Sequence, residues 1–311
     1  MKPYRIKTIS EYHKILGIQG PQHPLVSIID LQQVKPYQGK EKVSVIFDFY
    51  SISLKRTESG TVKYAYGQQQ YDFDEGILFF IAPNQVFTFE PDEDFSSSGF
   101  VLLLHPDFLW GTPFANKIKE FEFFSYSVNE ALFVSENEET TLKGFVQNIE
   151  KEYHSNIDKF SQGIIISQIE AFLTYSDRFY HRQFLTRNQA NSNLLVNFER
   201  LVEEYFNNNL TETQGIPSVS YFSEKLSLSQ NYLSDLLRTI TGQSAKQHIQ
   251  QKLMECAKEL LTNSELNVSQ IAYQLGFEHP QSFHKLYKNK TQTSPLEFRE
   301  SFKRFINKTS N

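Results

Sequence analysis

The sequence predicts an α+β protein of several domains, with a β-rich first part, a helical middle segment and an all-α C-terminal part. Three observations carry this prediction. Short runs of β-branched and aromatic residues, broken by turn residues, fill most of residues 1–135. From about residue 136 the apolar residues recur at helical spacing. Two later stretches, 219–241 and 268–291, resemble copies of one short helical unit.

Length and composition are those of an ordinary globular chain. The 311 residues can form two domains with cores of their own, and the hydrophobic content of 39% suffices to fill them. A single cysteine excludes an intrachain disulfide and is typical of a reducing compartment. No apolar signal segment follows the N-terminus, and the longest apolar runs are too short to cross a bilayer. We therefore expect a cytoplasmic protein without a membrane partner.

The β-rich part, 1–135, contains several candidate strands. Residues 43–54 have the composition of one strand, and residues 76–84 form a buried strand that ends at a Pro-Asn turn. Further short strands are predicted at 63–67, 70–73, 87–89 and 99–104. Short strands at this spacing are typical of a small barrel or sandwich.

Residues 136–185 predict two helices, separated near 156–158. The second helix carries a wide apolar stripe, which favours self-association as a homodimer; packing on the chain's own barrel is the alternative. The stripe consists of Ile164, Ile165, Ile169, Phe172, Leu173 and Phe179. The polar stretch 186–193 is predicted to be a linker, and residues 194–311 to be the last domain, beginning with a helix over 194–207.

The repeated unit consists of a short amphipathic helix, a tight turn and a second amphipathic helix. In the second copy Ser269 is a candidate helix cap, Gly276 marks a turn that favours positive φ, and Pro280 suits the first turn of the next helix. In the first copy Ser229 is the expected cap and Ser227 takes the turn position. A long helix over 245–261 would set the two second helices about 34 Å apart, the spacing of adjacent major-groove segments.

Charge is divided unevenly along the chain. Residues 215–311 hold 12 Lys and Arg against 8 Asp and Glu, a net charge of +4. The rest holds 19 against 28, a net charge of −9, so the chain's net charge is −5. A mildly basic helical module attached to an acidic one is consistent with binding to double-stranded DNA through a few well-placed contacts.

Residues 219–299 resemble the DNA-binding domain of the AraC/XylS family of bacterial transcription regulators. The matching segments are 232–244, 257–261, 268–272, 276–277, 282–283, 287–288, 294–295 and 298–299. Ser227 and Gln292 depart from the family pattern, which often has glycine there. The resemblance implies a cupin-like sensory domain in the first part, a homodimer, a small-molecule effector and RNA polymerase as a partner, most often in activation.

The resemblance also assigns candidate DNA contacts. Gln281 and Asn231 can bond adenine edges, Lys285 can reach guanine or a phosphate, and Asp235 can accept from cytosine. Solvated helix surface is the alternative for Asp235 and Ser234, and plain soluble surface is the alternative for the lysines among the phosphate candidates. The candidate base contacts are Asn231, Ser234, Asp235, Pro280, Gln281, His284 and Lys285, and the candidate phosphate contacts are Arg238, Lys246 and Lys288.

An effector pocket and an enzyme activity have weaker support. Tyr64, Tyr66, Tyr71 and Phe73 are aromatic candidates for the pocket, and ordinary strand aromatics are the alternative. The histidines of the first part do not form the His-x-His pattern of a metal-binding cupin, so we expect neither a metal nor a cofactor. A cupin-type metal-dependent enzyme fused to a DNA-binding domain stays the alternative to a non-enzymatic regulator.

Overall fold

The computed structural model describes residues 3–34, 43–59, 62–63, 76–91, 96–126, 130–155, 158–186 and 188–309. The chain divides into two compact units, Met1–Thr186 and Arg187–Asn311. The boundary between them lies within 186–193, the stretch predicted as a linker.

The first unit is built on two β-sheets. Its strands are β1 (Tyr4–Ile6), β2 (Val26–Asp30), β3 (Val43–Phe47), β4 (Tyr50–Ser59), β5 (Val62–Lys63), β6 (Gly76–Ile81), β7 (Val86–Pro91), β8 (Ser96–Leu104) and β9 (Leu132–Val134). One sheet has the order β1-β3-β7-β5 and the other the order β2-β8-β4-β6-β9. Apolar side chains from both sheets, including Phe47 and Leu103, form one core cluster between them. The predicted β-rich first part is confirmed.

The predicted strand 43–54 is wrong in one respect, because the chain forms two strands there. β3 pairs with β7 and β4 pairs with β6 and β8, so the segment passes from one sheet to the other at Asp48. The Asp48 N–H donates to the Ile6 carbonyl, and its carboxylate lies 2.7 Å from the Arg5 guanidinium. Of the candidate strand 63–67 the structure describes only Lys63, at the end of β5. The rest of that strand and the candidate strand 70–73 lie outside the described residues.

Four helices accompany the sheets in the described part of the first unit: α1 (Ile9–Leu16), α2 (Phe114–Lys117), α3 (Glu136–Tyr153) and α4 (Ser161–Thr186). α3 and α4 pack on each other, as the helical period predicts. The apolar stripe of α4 is almost entirely buried within its own unit, and only Ile164 of the six predicted residues is exposed. This burial is the alternative that the sequence left open, and the stripe itself gives no support to self-association.

Polar side chains fix the last turns of α4 to β9 and α3. Arg182 donates from Nε and Nη2 to the two carboxylate oxygens of Glu138, at 3.0 and 2.6 Å, and from Nη2 to the Phe133 carbonyl. The buried Gln183 amide accepts from the Phe133 N–H and donates to the Ala131 carbonyl. The helix that leads to the unit boundary is therefore tied to a strand edge.

The described residues of the second unit form helices joined by short loops and turns. Its helices are α5 (Asn188–Asn207), α6 (Leu210–Gln214), α7 (Val219–Lys225), α8 (Gln230–Thr241), α9 (Ala245–Asn263), α10 (Val268–Gln274), α11 (Pro280–Thr291) and α12 (Pro295–Thr309). α5 begins six residues before the predicted start at 194, because no glycine or proline interrupts the polar stretch. One apolar cluster joins α5 and α7–α11, with Leu253 and Ala257 of α9 buried inside it.

Candidate nucleic-acid interface

Both copies of the predicted repeat form a helix, a turn and a second helix. The first copy consists of α7 and α8, and the second of α10 and α11. Ser229 caps α8, since its hydroxyl accepts from the Tyr232 N–H at 3.2 Å, as predicted. The predicted cap Ser269 is wrong: Asn267 caps α10 and forms a reciprocal capping box with Gln270. The amide at the earlier position can accept from the third helical N–H, and this fixes the helix start.

The two turns are closed by the same hydrogen bonds. The Leu228 N–H donates to the Ser223 carbonyl at 2.9 Å, and the Phe277 N–H donates to the Ala272 carbonyl at 3.0 Å. Between these bonds the chain passes through the left-handed region at Ser227 (φ 57°) and Gly276 (φ 86°). Gln292 adopts the same conformation (φ 62°) at the end of α11, where Gly242 ends α8. Neither departure from the family pattern distorts its unit.

Gly276 has a second constraint that the sequence did not reveal. A Cβ at this position would lie 2.6 Å from the Gly215 carbonyl carbon and 2.8 Å from the Ile216 nitrogen. The loop before α7 is held there from two sides, since its Gly215 carbonyl accepts from the Tyr205 hydroxyl and the Thr211 hydroxyl donates to the Gln274 carbonyl. The turn of the second copy thus packs directly on the entry to the first.

The inward faces of α8 and α11 were predicted correctly. They bury Tyr232, Leu233, Leu236, Leu237, Phe283 and Tyr287, while Leu286 is half-buried against the same cluster. Burial raises the pKa of Tyr287 to about 12, so its hydroxyl stays neutral. With the core residues fixed on one side, each helix presents its opposite face outward.

The structure places the candidate base-reading residues on these outward faces, with different exposure. Asn231, Gln281, His284 and Lys285 are exposed, and Ser234 and Pro280 are half-buried. Asp235 differs from the rest, because its side chain is only 14% exposed and forms an ion pair with Arg238 one turn later. At matched positions, α8 therefore carries a neutralised acid–base pair where α11 carries Lys285 and Lys288.

The candidate phosphate contacts are all exposed: Arg238 on α8, Lys246 in the first turn of α9 and Lys288 on α11. The Lys246 position is fixed by the start of α9, where the Ser244 N–H donates to Gln247 Oε1 at 2.7 Å. A similar bond joins the Ser294 N–H to Glu297 Oε2 at the start of α12. The repeat thus extends past each second helix into the start of the next one.

Two supporting contacts had no signal in the sequence pattern. Arg299 of α12 donates from Nε to the Leu261 carbonyl and from Nη1 to the Leu266 carbonyl, which fixes the loop between α9 and α10. The Thr241 hydroxyl donates to the Leu237 carbonyl at 2.7 Å, and His248 Nε2 lies 2.8 Å from the hydroxyl oxygen of Thr241. Since the hydroxyl proton is used, His248 is the donor in the second bond.

The candidate effector residues Tyr64, Tyr66, Tyr71 and Phe73 lie outside the described residues. Across the part of the chain that the structure describes, no group of three or more His, Cys, Asp or Glu side chains is arranged to hold a metal ion. Over those same residues, no helix has both the length and the apolar character needed to span a bilayer.

Two family models match separate parts of the chain. Residues 222–301 match a helix-turn-helix domain, and residues 46–150 match an AraC-like ligand binding domain. The first match covers the second copy of the repeat and all but the first three residues of the first, and the second match covers β4–β9 and most of α3.

Individual relatives match the C-terminal segment. The Msm operon regulatory protein of Streptococcus mutans is 35% identical over 82 residues, 26% of this chain and 30% of that protein. The uncharacterized HTH-type transcriptional regulator YijO of Escherichia coli is 31% identical over 75 residues, 24% of this chain and 26% of that protein. The aligned segment therefore spans less than a third of either relative's length. Among solved structures, the C-terminal domain of the response regulator yesN from Fusobacterium nucleatum is 35% identical, covering 32% of this chain and 95% of that one, with a TM-score of 0.29.

Proposed function

The chain belongs to the AraC/XylS family of transcription regulators, and on that premise we propose that it is a sequence-specific DNA-binding regulator. It binds double-stranded DNA through α8 and α11 and acts in the cytoplasm, where it activates transcription together with RNA polymerase. The observation that carries this proposal is the pair of capped or proline-started helices, each buried on one face and polar on the other.

The second recognition helix, α11, supplies most of the sequence discrimination. Gln281 can form two hydrogen bonds with adenine, and Lys285 can donate to guanine O6 and N7. His284 and Lys285 are exposed one turn beyond Gln281 on this helix, so these side chains can follow consecutive bases. Pro280 offers only apolar contact, for instance with a thymine methyl group.

The first recognition helix, α8, contributes positioning and a smaller share of readout. Asn231 can read adenine, and Ser234 can bond to a base edge or a phosphate. Asp235 acts mainly by holding Arg238, because its carboxylate is largely covered and paired. Arg238, Lys246 and Lys288 then bind phosphates and fix the register on the duplex.

The first unit supplies regulation. A ligand binding domain on a sandwich of this size gives room for a small-molecule effector, and a homodimer would place two pairs of recognition helices on one operator. The residue motifs of a metal-dependent enzyme do not occur in its sequence, so we propose a regulator rather than an enzyme.

Selection of bound fragments from random DNA by the purified full chain tests this proposal. We expect one sequence to be enriched, and Gln281→Ala to relax the preference at a single adenine position by about 1–3 kcal/mol. Lys258→Ala, an exposed lysine on α9 outside both recognition helices, is the matched control and should leave the preference unchanged. Absence of any enriched sequence at moderate salt would refute the proposal.

A further inference from the structure

An open cavity of about 330 Å³ lies in the first unit, between the five-stranded sheet and α3. Its floor is apolar. Leu54 and Phe100 pair across β4 and β8, and Val146 of α3 closes the opposite side. Leu54 and Phe100 point to one face of the five-stranded sheet. Val101 and Leu103 point to the other face, where they belong to the core between the two sheets. The volume is at the lower end of the range for small-molecule pockets, roughly 300–1,000 Å³.

One wall of the cavity holds a buried carboxylate with two cationic partners. Glu139, whose side chain is 5% exposed, accepts from Arg56 Nε and Nη2 at 2.8 and 2.6 Å, and Lys143 Nζ lies 2.6 Å from its other oxygen. Burial raises the pKa of Glu139, but the hydrogen bonds from Lys143 and Arg56 outweigh it and hold the pKa below its ordinary value. Both cations of the wall therefore already have an ion-pair partner within the chain, and the three side chains together carry a net charge of +1.

The remaining charge on the lining is negative. Asp30 and Glu150 also line the cavity, and neither forms an ion pair within the described ranges. The lining of the cavity thus contains three carboxylates and two cations, which gives it a net charge of −1. An anionic ligand would compete with Glu139 for Arg56 and Lys143 and would face two further carboxylates. A cation beside Asp30 and Glu150 competes with no ion pair of the described residues and gains two acceptors at the rim.

We infer that this cavity binds a small organic cation, with its ammonium or guanidinium group between Asp30 and Glu150 and a short hydrocarbon part on Leu54 and Phe100. The apolar floor matches the hydrocarbon part of such a ligand, and the carboxylates of the rim match its cationic group. The regulatory meaning of this site rests on the proposed function, whereas the binding itself does not require DNA.

The wall of the cavity is joined to the end of the unit. Glu138 precedes Glu139 on α3, and it forms the two-pronged contact with Arg182 in the last turns of α4. Two adjacent carboxylates on one helix thus face the cavity and the segment before the unit boundary. A ligand that shifts α3 would therefore also shift the end of α4, because Glu138 and Arg182 join the two helices.

Calorimetric titration of the DNA-free full chain tests the inference. The probes are pentylammonium, 1-pentanol and valerate, which share a chain length and differ in charge. We expect pentylammonium to bind at least about tenfold more tightly than the other two. Asp30→Asn and Glu150→Gln should each weaken it by about threefold or more. Asp30→Asn keeps the oxygen that accepts from the Gln32 N–H, so its turn is preserved.

Two further variants separate binding from folding. Gln147→Trp places a bulky side chain at the exposed rim and should abolish pentylammonium binding without lowering the thermal midpoint. Glu120→Gln, an exposed carboxylate outside the cavity, should leave the affinity unchanged. Equal affinities for the three probes, or no effect of Asp30→Asn and Glu150→Gln, would overturn the inference. The DNA selection experiment is independent, so its failure would leave this result standing.

Discussion

The two helix-turn-helix units share the hydrogen bonds of their turns but differ at matched positions around them. The left-handed turn position is Ser227 in the first unit and Gly276 in the second. On the outward faces, the paired Asp235 of α8 corresponds to the exposed Lys285 of α11. The two units thus share their backbone geometry and differ in side-chain chemistry.

This difference separates two requirements of the motif. The turn needs one residue in the left-handed region, and a serine can meet that need at a cost of about 1–2 kcal/mol. Glycine is needed only at Gly276, where the neighbouring loop leaves no room for a Cβ. On the outward faces, the same helix geometry accommodates an acid–base pair in α8 and two exposed lysines in α11.

The largest expected effect is on stability, in two separate variants that each place alanine at one of the two turn positions. Gly276→Ala should lower the free energy of unfolding by about 2–4 kcal/mol, because the new Cβ is strained at positive φ and overlaps the Gly215 backbone. Ser227→Ala should cost less than about 1 kcal/mol, since a Cβ is already accommodated there. Urea denaturation of the full chain measures both losses. Equal losses would show that the neighbouring loop does not distinguish the turns.

The next effect concerns DNA affinity and has opposite signs in the two units. Lys285→Ala should weaken binding to the selected sequence by about 1–3 kcal/mol, because one base or phosphate contact is lost. Asp235→Asn should strengthen non-specific binding by about two- to fivefold, because Arg238 is released toward phosphate. Fluorescence anisotropy at two salt concentrations measures both. If the two variants shift the affinity in the same direction, the assigned difference between α8 and α11 is wrong.

A smaller, stabilising effect is expected from glycine at the two non-glycine turn positions. Ser227→Gly and Gln292→Gly should each raise the free energy of unfolding by up to about 1 kcal/mol, since relief of left-handed strain exceeds the added chain entropy. Asn289→Gly, in the exposed interior of α11, should instead cost about 0.3 kcal/mol. The melting temperatures of the three variants test this, and a loss of stability in all three would contradict it.

Local patterns predicted the helical part well because each helix of the repeat is amphipathic and carries its own start and stop residues. Tyr232 and Phe283 follow from spacing alone. The β-part was harder, since Asp48 marks a passage between sheets that strand composition cannot show. The contacts of Arg299 and of Gly276 with Gly215 join residues far apart in sequence, and no local pattern encodes them.

The smallest expected effect is the pH dependence of stability that comes from His248. This residue lies in α9, the helix after the first unit, and Phe298 takes the matched position in α12, the helix after the second unit. Burial lowers the pKa of His248, partly offset by Glu199. The imidazole of His248 therefore binds a proton more readily in the unfolded chain than in the folded one. Its contribution to the free energy of unfolding is fully present above about pH 6.5 and is lost as the pH falls through the lower pKa of the folded state. Because the ring is only partly buried, we expect a loss of roughly a few tenths of a kcal/mol in the free energy of unfolding.

Urea denaturation at pH 8 and pH 5 should show this loss in the wild type and a smaller loss in His248→Gln, whose amide can still donate to Thr241. An identical pH dependence in both proteins would assign the loss to other groups.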